Sequence, residues 1–127
     1  MINAWLPLAA YAAFIFTLSS LPNLAPPGDV ANTDKLAHLV EYILFGVLAA
    51  RALALTGVGR TRRFLLAVAA GAVFAALDEL FQGTVGRQTS IADWGTDVMG
   101  VAVAALIDSR LRERRNETPP ETVERSE

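Results

Sequence analysis

The chain alternates between long apolar runs and short polar stretches, and this pattern predicts four helices. The apolar runs cover residues 4–21, 36–55, 64–81 and 91–107. Each is close to the roughly 20 residues that a helix needs to cross the hydrocarbon core of a bilayer. The middle of every run is apolar on all sides, whereas a helix of a soluble bundle carries a polar stripe along its length. The pattern therefore predicts an all-α, polytopic membrane protein with a four-helix transmembrane bundle.

The polar stretches divide the chain into one helical domain and a tail. Three prolines and a glycine interrupt the chain after the first run, and the sequence TGVGRTRR separates the second run from the third. From residue 110 onward the chain is charged, contains proline and has few apolar residues. A segment of that composition buries too little apolar surface to stay ordered. We therefore predict a transmembrane domain over residues 1–109 and a disordered tail over residues 110–127.

Composition supports this class and restricts the chemistry. Of the 127 residues, 53% are hydrophobic and 19% are charged, with no cysteine and a single histidine. A disulfide framework, a thiolate metal site and a multi-histidine zinc site are therefore excluded. Carboxylates with one histidine can bind a hard divalent cation, but their spacing here matches no dedicated loop. We predict no metal and no cofactor, and we expect no nucleic-acid partner.

The arginines determine the predicted topology. They are concentrated between the second and third runs and after the fourth run. Basic residues in short loops tend to stay on the cytoplasmic side of a membrane. The first run lacks the basic start of a signal peptide, so we expect it to be retained as a span. With four spans, both termini are cytoplasmic, the loops with Lys35 and Arg87 face outward, and the protein lies in the plasma (inner) membrane.

Polar side chains occur at the outward end of all four predicted helices. Residues three or four positions apart share one face of a helix. Small residues such as Gly100 and Ala104 continue one of these faces inward and allow membrane helices to approach closely. We therefore expect the polar groups to line an interior cleft. The set comprises Ser19, Asp34, Lys35, His38, Glu41, Asp78, Glu79, Gln82, Arg87, Asp93 and Asp97.

These residue types indicate a site for an anionic head group. Arg87 offers a planar fork for phosphate or carboxylate, and the second and fourth helices direct anion-favouring N-termini at the same face. In a catalytic site His38 would be the general acid or base, and Glu79 or Asp93 would orient or activate it. The predicted ligand-binding residues are Ser19, Asp34, Lys35, Gln82, Arg87 and Asp97.

Structural roles compete with these functional ones. Asp34 fits an N-cap of the second helix. Asp93 fits a cap of the fourth helix or a partner of Arg87. Trp5 and Trp94 fit anchors at the membrane interface.

The ordered set of motifs resembles the VanZ-like family of small bacterial membrane proteins. The matching residues are Asp34-Lys35-x-x-His38 with Tyr42, Glu79-x-x-Gln82, Gly86-Arg87, Asp93 and Gly100, and the resemblance extends from Leu6 to Ile107. The chain departs from the commonest pattern at Asp97, where asparagine is more usual. The best-known member is associated with teicoplanin resistance in glycopeptide-resistance clusters. The resemblance therefore implies a bacterial membrane protein of the cell envelope.

Three functions fit these residues. The first is catalysis at the outer leaflet on the head group of an envelope lipid, such as a polyprenyl-phosphate carrier. The second is a non-catalytic accessory or antibiotic-tolerance protein that captures a membrane lipid, a lipid-linked precursor, a glycopeptide or a partner protein. The third is a purely structural polar network. The leading interpretation is a polar, anion-favouring site at the extracytoplasmic face that binds or acts on a lipid head group.

Overall fold

The computed structural model describes residues 2–21 and 30–117, which form four α-helices. They are α1 (Ile2–Ser19), α2 (Val30–Ala54), α3 (Arg60–Thr84) and α4 (Ile91–Glu117). The predicted all-α fold is confirmed over these residues. Two segments, Lys35–Ala54 and Arg60–Thr84, are long and apolar enough to cross a membrane, and Asn3–Ser19 is a shorter apolar helix.

Helix α4 is longer than the apolar pattern predicts. It continues beyond Ile107 to Glu117, so the predicted boundary between domain and tail at residue 110 falls inside a helix. Two ion pairs accompany the extension: Arg112 Nε lies 2.9 Å from Oδ2 of Asp108 one turn earlier, and Arg60 Nη1 lies 2.7 Å from Oε1 of Glu113. The prediction of disorder is wrong for residues 110–117, and residues 118–127 lie outside the described part.

The contacts between helices define an up-and-down bundle. Helices α1 and α3 run parallel, since Phe16 stacks on Phe81 with ring centroids 4.3 Å apart and their C-terminal ends meet. Helix α4 runs antiparallel to α3, because Arg60 at the start of α3 pairs with Glu113 near the end of α4, whereas Glu79 near the end of α3 accepts a hydrogen bond from the N–H of Ser90 just before α4. The C-terminal ends of α1 and α3 and the N-terminal end of α4 therefore lie at one end of the bundle.

Helices α2 and α4 lie parallel and approach closely through glycines. A Cβ placed on Gly46 would lie 2.8 Å from Cβ of Ala104 and 2.9 Å from Cα of Val101. One placed on Gly100 would lie 3.0 Å from the carbonyl oxygen of Leu39. Only glycine allows this separation, as is common where membrane helices pack. The predicted packing role of Gly100 is confirmed.

Apolar side chains cover much of the perimeter, whereas several polar side chains are buried. On α2 an exposed apolar stripe includes Leu36, Val40, Leu44 and Val47. Similar exposed residues occur on the other three helices. Exposed apolar patches on a protein often mark a contact with a partner protein or with a membrane. The buried polar side chains are Ser19, His38, Asp78, Glu79, Gln82, Asp97 and Ser109.

Candidate functional site

A buried polar contact between α2 and α4 joins His38 to Asp97. Nδ1 of His38 lies 3.1 Å from Oδ1 of Asp97, and the two side chains are 7% and 1% exposed. A carboxylate beside an imidazole fixes the orientation of the ring and its tautomer. Asp97 therefore occupies the orienting position that the sequence assigned to Glu79 or Asp93.

A second buried network connects the other helices. The side-chain amide of Gln82 donates to Oδ2 of Asp78 at 3.1 Å and to Oγ of Ser19 at 3.3 Å. The hydroxyl of Tyr42 donates to the same Asp78 oxygen at 3.4 Å. The network joins α1, α2 and α3 at the end of the bundle where His38 meets Asp97. It fixes the side chains of Ser19 and Gln82, both of which the sequence placed in the site.

Glu79 contacts the backbone that precedes α4. Its Oε2 accepts a hydrogen bond of 3.2 Å from the backbone N–H of Ser90. The hydroxyl of Ser90 in turn accepts from the N–H of Ala92 at 3.1 Å, so Ser90 caps the N-terminus of α4. Ser90 therefore has the capping role considered for Asp93. The contact fixes the start of α4 relative to the end of α3.

A cavity of about 260 Å³ opens between the helices at this end. His38, Glu41 and Gln82 line it together with Arg87, which follows α3. The chain turns sharply before Arg87, because Gly86 adopts a φ of 82° and the N–H of Arg87 donates to the carbonyl of Gln82 at 3.1 Å. This turn brings the guanidinium to the rim of a cavity built by α1, α2 and α3.

A larger groove of about 460 Å³ lies between α3 and α4. Its walls are mainly apolar, with Leu80, Ile91 and Trp94 among the lining residues. Glu79 also lines this groove and belongs to the same cluster as His38, which lines the smaller cavity. An apolar groove thus ends beside the polar cluster. Trp94, interpreted from the sequence as an interfacial anchor, lines the groove and bonds to α3.

Two buried carboxylates have oxygen atoms that their neighbours leave unsatisfied. Within the described residues, Oδ1 of Asp78 and Oδ2 of Asp97 have no hydrogen-bond partner. Each of these residues is 1% exposed. A buried polar atom without a partner costs about 1–3 kcal/mol, and a charged one costs more. The buried cluster therefore contains more hydrogen-bond acceptors than the described residues satisfy.

The structure brings most of the predicted site residues together. His38, Glu79 and Asp97 offer ligand atoms that lie within 4.8 Å of one another. Ser19, Gln82 and Arg87 line the adjoining cavity or its network. Lys35 is exposed and Asp93 is partly buried one turn before Asp97. The side chain of Asp34 lies outside the described part of the structure.

Sequence reasoning undervalued Asp78 and Tyr42. Both are among the most deeply buried large side chains, at 1% and 0% exposure, although neither was among the predicted catalytic or ligand-binding residues. Their positions carried a signal, because Tyr42 lies one turn after His38 and Asp78 one turn before Gln82. Both therefore share a face with a residue that was chosen.

Comparison of the chain with protein-family models, curated protein sequences and solved structures finds no match.

Proposed function

We propose that this chain is a VanZ-like integral membrane protein that binds the phosphate-bearing head group of an envelope lipid at its extracytoplasmic face. The observation that carries the proposal is the cavity of about 260 Å³ lined by His38, Glu41, Gln82 and Arg87. It adjoins buried polar networks at one end of a bundle whose perimeter is largely apolar. Ionisable groups placed among apolar helices generally serve a ligand or a transported species.

The distribution of side chains supports a location in the membrane. All four helices expose large apolar residues, while Asp78, Glu79 and Asp97 are buried in the interior. In the proposed orientation, α1 and α4 span the bilayer beside Lys35–Ala54 and Arg60–Thr84, the two segments that are long and apolar enough to cross a membrane. The arginines near residues 60–63 and 110–115 then lie on the cytoplasmic side with both termini.

In the proposed complex, the two openings hold two parts of one lipid. In the proposed complex, Arg87 contacts the head-group phosphate, since its guanidinium forms paired hydrogen bonds with phosphate oxygens. The groove lined by Leu80, Ile91 and Trp94 accommodates the first part of the hydrocarbon chain. A polyprenyl phosphate combines a single small anionic head with a long apolar chain, and we propose it as the ligand class for these two openings.

The contact between His38 and Asp97 supports catalysis as a second candidate. A histidine oriented by a carboxylate is a common general acid or base. In this alternative, His38 accepts a proton from the water that attacks the head-group phosphorus and returns it to the prenyl oxygen as the bond from phosphorus to that oxygen breaks, and Asp97 positions the ring. Glu79, which lies beside them, would hold a proton or polarise the attacking water.

The binding proposal can be tested by native mass spectrometry of the full chain released from nanodiscs. Polyprenyl phosphate should bind, and the phosphate-free polyprenol should bind at least about tenfold more weakly. Arg87→Lys should weaken phosphate binding, because an ammonium does not reproduce the two-pronged contact. Arg110→Lys, at the opposite end of the bundle, is the matched control and should bind like the parent. Equal binding by both arginine variants and the parent would refute the role of Arg87.

A further inference from the structure

We propose that His38, Glu79 and Asp97 bind one divalent first-row transition-metal cation of the Zn²⁺ or Mn²⁺ type. Each residue offers one ligand atom, and these atoms lie within 4.8 Å of one another. All three residues are buried. One imidazole nitrogen with two carboxylate oxygens is a donor set suited to such cations. The proposal departs from the sequence prediction of no metal, and it does not depend on lipid binding.

The distances require only small side-chain movements. Zinc lies about 2.0–2.2 Å from nitrogen and oxygen ligands, so two ligand atoms on one ion are separated by at most about 4.4 Å. The spacing of 3.1 Å between Nδ1 of His38 and Oδ1 of Asp97 is already that of neighbouring ligands. Glu79 offers an oxygen to the same cluster, and coordination through Oε2 would replace its hydrogen bond with the N–H of Ser90.

A second observation points to a cation independently of this geometry. Oδ2 of Asp97 is buried and has no hydrogen-bond partner among the described residues, and the residue is only 1% exposed. Burying an ionised oxygen without a partner is strongly unfavourable. A cation at the cluster that binds Oδ2, or both oxygens of this carboxylate, would remove that penalty.

The charge of the surroundings is consistent with a bound cation. Asp78, Glu79 and Asp97 are all buried within this end of the bundle, and Glu41 lines the adjoining cavity beside Arg87. Two added positive charges would offset two of these carboxylates. The same ion would also attract an anionic head group from the cavity, although binding of the metal alone decides this proposal.

The ligands come from three helices, and this explains why sequence spacing did not reveal them. His38 is on α2, Glu79 on α3 and Asp97 on α4, so no short motif contains two of them. Helices hold ligands in fixed positions more precisely than loops do. His38 also borders the cavity and Glu79 borders the groove, which gives an ion two routes of entry.

The test uses the full chain in nanodiscs of zwitterionic phosphatidylcholine. A chelator first removes any metal from the protein, and Zn²⁺ or Mn²⁺ is then added alone. Calorimetry and elemental analysis should give one ion per chain. His38→Gln and Asp97→Asn should weaken binding by at least about a hundredfold, beyond the typical effect of losing an outer-shell partner. Asp108→Asn removes a carboxylate from the same helix, where it pairs with Arg112, and should bind like the parent.

Nuclear magnetic resonance of the unsubstituted chain provides a readout that needs no variant. His38 is the only histidine, so its ring ¹⁵N signals can be assigned directly. One of them should shift on addition of one equivalent of Zn²⁺. The proposal is overturned if the parent binds no stoichiometric ion, if the His38 signals do not change, or if His38→Gln and Asp97→Asn bind as tightly as Asp108→Asn.

Discussion

Nδ1 of His38 and Oδ1 of Asp97 lie 3.1 Å apart where α2 and α4 pack, and both side chains are buried. This contact joins two residues that are 59 positions apart in the sequence. It depends on the close approach of the helices, which Gly46 and Gly100 permit. The chemistry proposed for this end of the bundle therefore depends on the packing of the α2 and α4 backbones at Gly46 and Gly100.

The first prediction separates proton transfer from simple binding. His38→Gln and Glu79→Gln nearly preserve side-chain volume but remove the groups that would exchange protons. If the site is catalytic, release of the head group should fall by about a hundredfold or more, while polyprenyl phosphate still binds. Binding and head-group release should be measured side by side in nanodiscs. Glu113→Gln serves as the control for a general loss of charge, because it removes a carboxylate that pairs with Arg60.

Two outcomes of that experiment would remove catalysis from consideration. One is the absence of head-group release from any candidate lipid by the parent. The other is equal turnover by the parent and by both glutamine variants. Failure of these variants to accumulate, with normal accumulation of Glu113→Gln, would instead assign the cluster a structural role.

The second prediction concerns packing between α2 and α4. In Gly46→Ala, the new Cβ would lie 2.8 Å from Cβ of Ala104 and 2.9 Å from the backbone of Val101, so the helices must separate. We expect a loss of about 1–3 kcal/mol in the free energy of unfolding, as is typical of overpacking. Gly95→Ala is the matched control, because no atom lies within 4 Å of its new Cβ. That variant should be neutral or stabilised by up to about 1 kcal/mol.

Unfolding of both glycine variants should be followed by circular dichroism in one detergent mixture. Equal stabilities would show that α2 and α4 tolerate a wider separation, and the close approach would then not hold His38 against Asp97.

The third prediction concerns orientation in the membrane. The chain has no cysteine, so single cysteines can be introduced at Gly59 and Thr84, which are exposed at opposite ends of α3. An impermeant maleimide applied to intact cells should label Thr84→Cys, and Gly59→Cys should react only after permeabilisation. The reverse labelling would place the cavity on the cytoplasmic side and exclude an outer-leaflet ligand.

Sequence periodicity located the elements better than it located the contacts. Apolar runs predicted four helices and one polar end, because each signal lies within a single segment. The partner of His38 was not predicted, since it depends on the rotation and separation of α2 and α4. Those follow from the backbone contacts of Gly100 with Leu39, which no single helix displays. The continuation of α4 to Glu117 was missed because composition alone does not reveal pairs such as Arg60 with Glu113.

Photo-crosslinking tests the proposed head-group site most directly. A polyprenyl phosphate with a diazirine next to the phosphate should be activated in membranes that contain the full chain, and the labelled peptides mapped by mass spectrometry. We predict adducts concentrated at residues that line the head-group cavity, such as Ala37, Glu41 and Gln82, and at Glu79 of the groove beside it, with competition by unmodified polyprenyl phosphate but not by polyprenol. Arg87→Lys should reduce this labelling and Arg110→Lys should not. Adducts distributed evenly over exposed perimeter residues such as Val73 and Leu106, without competition, would contradict the account.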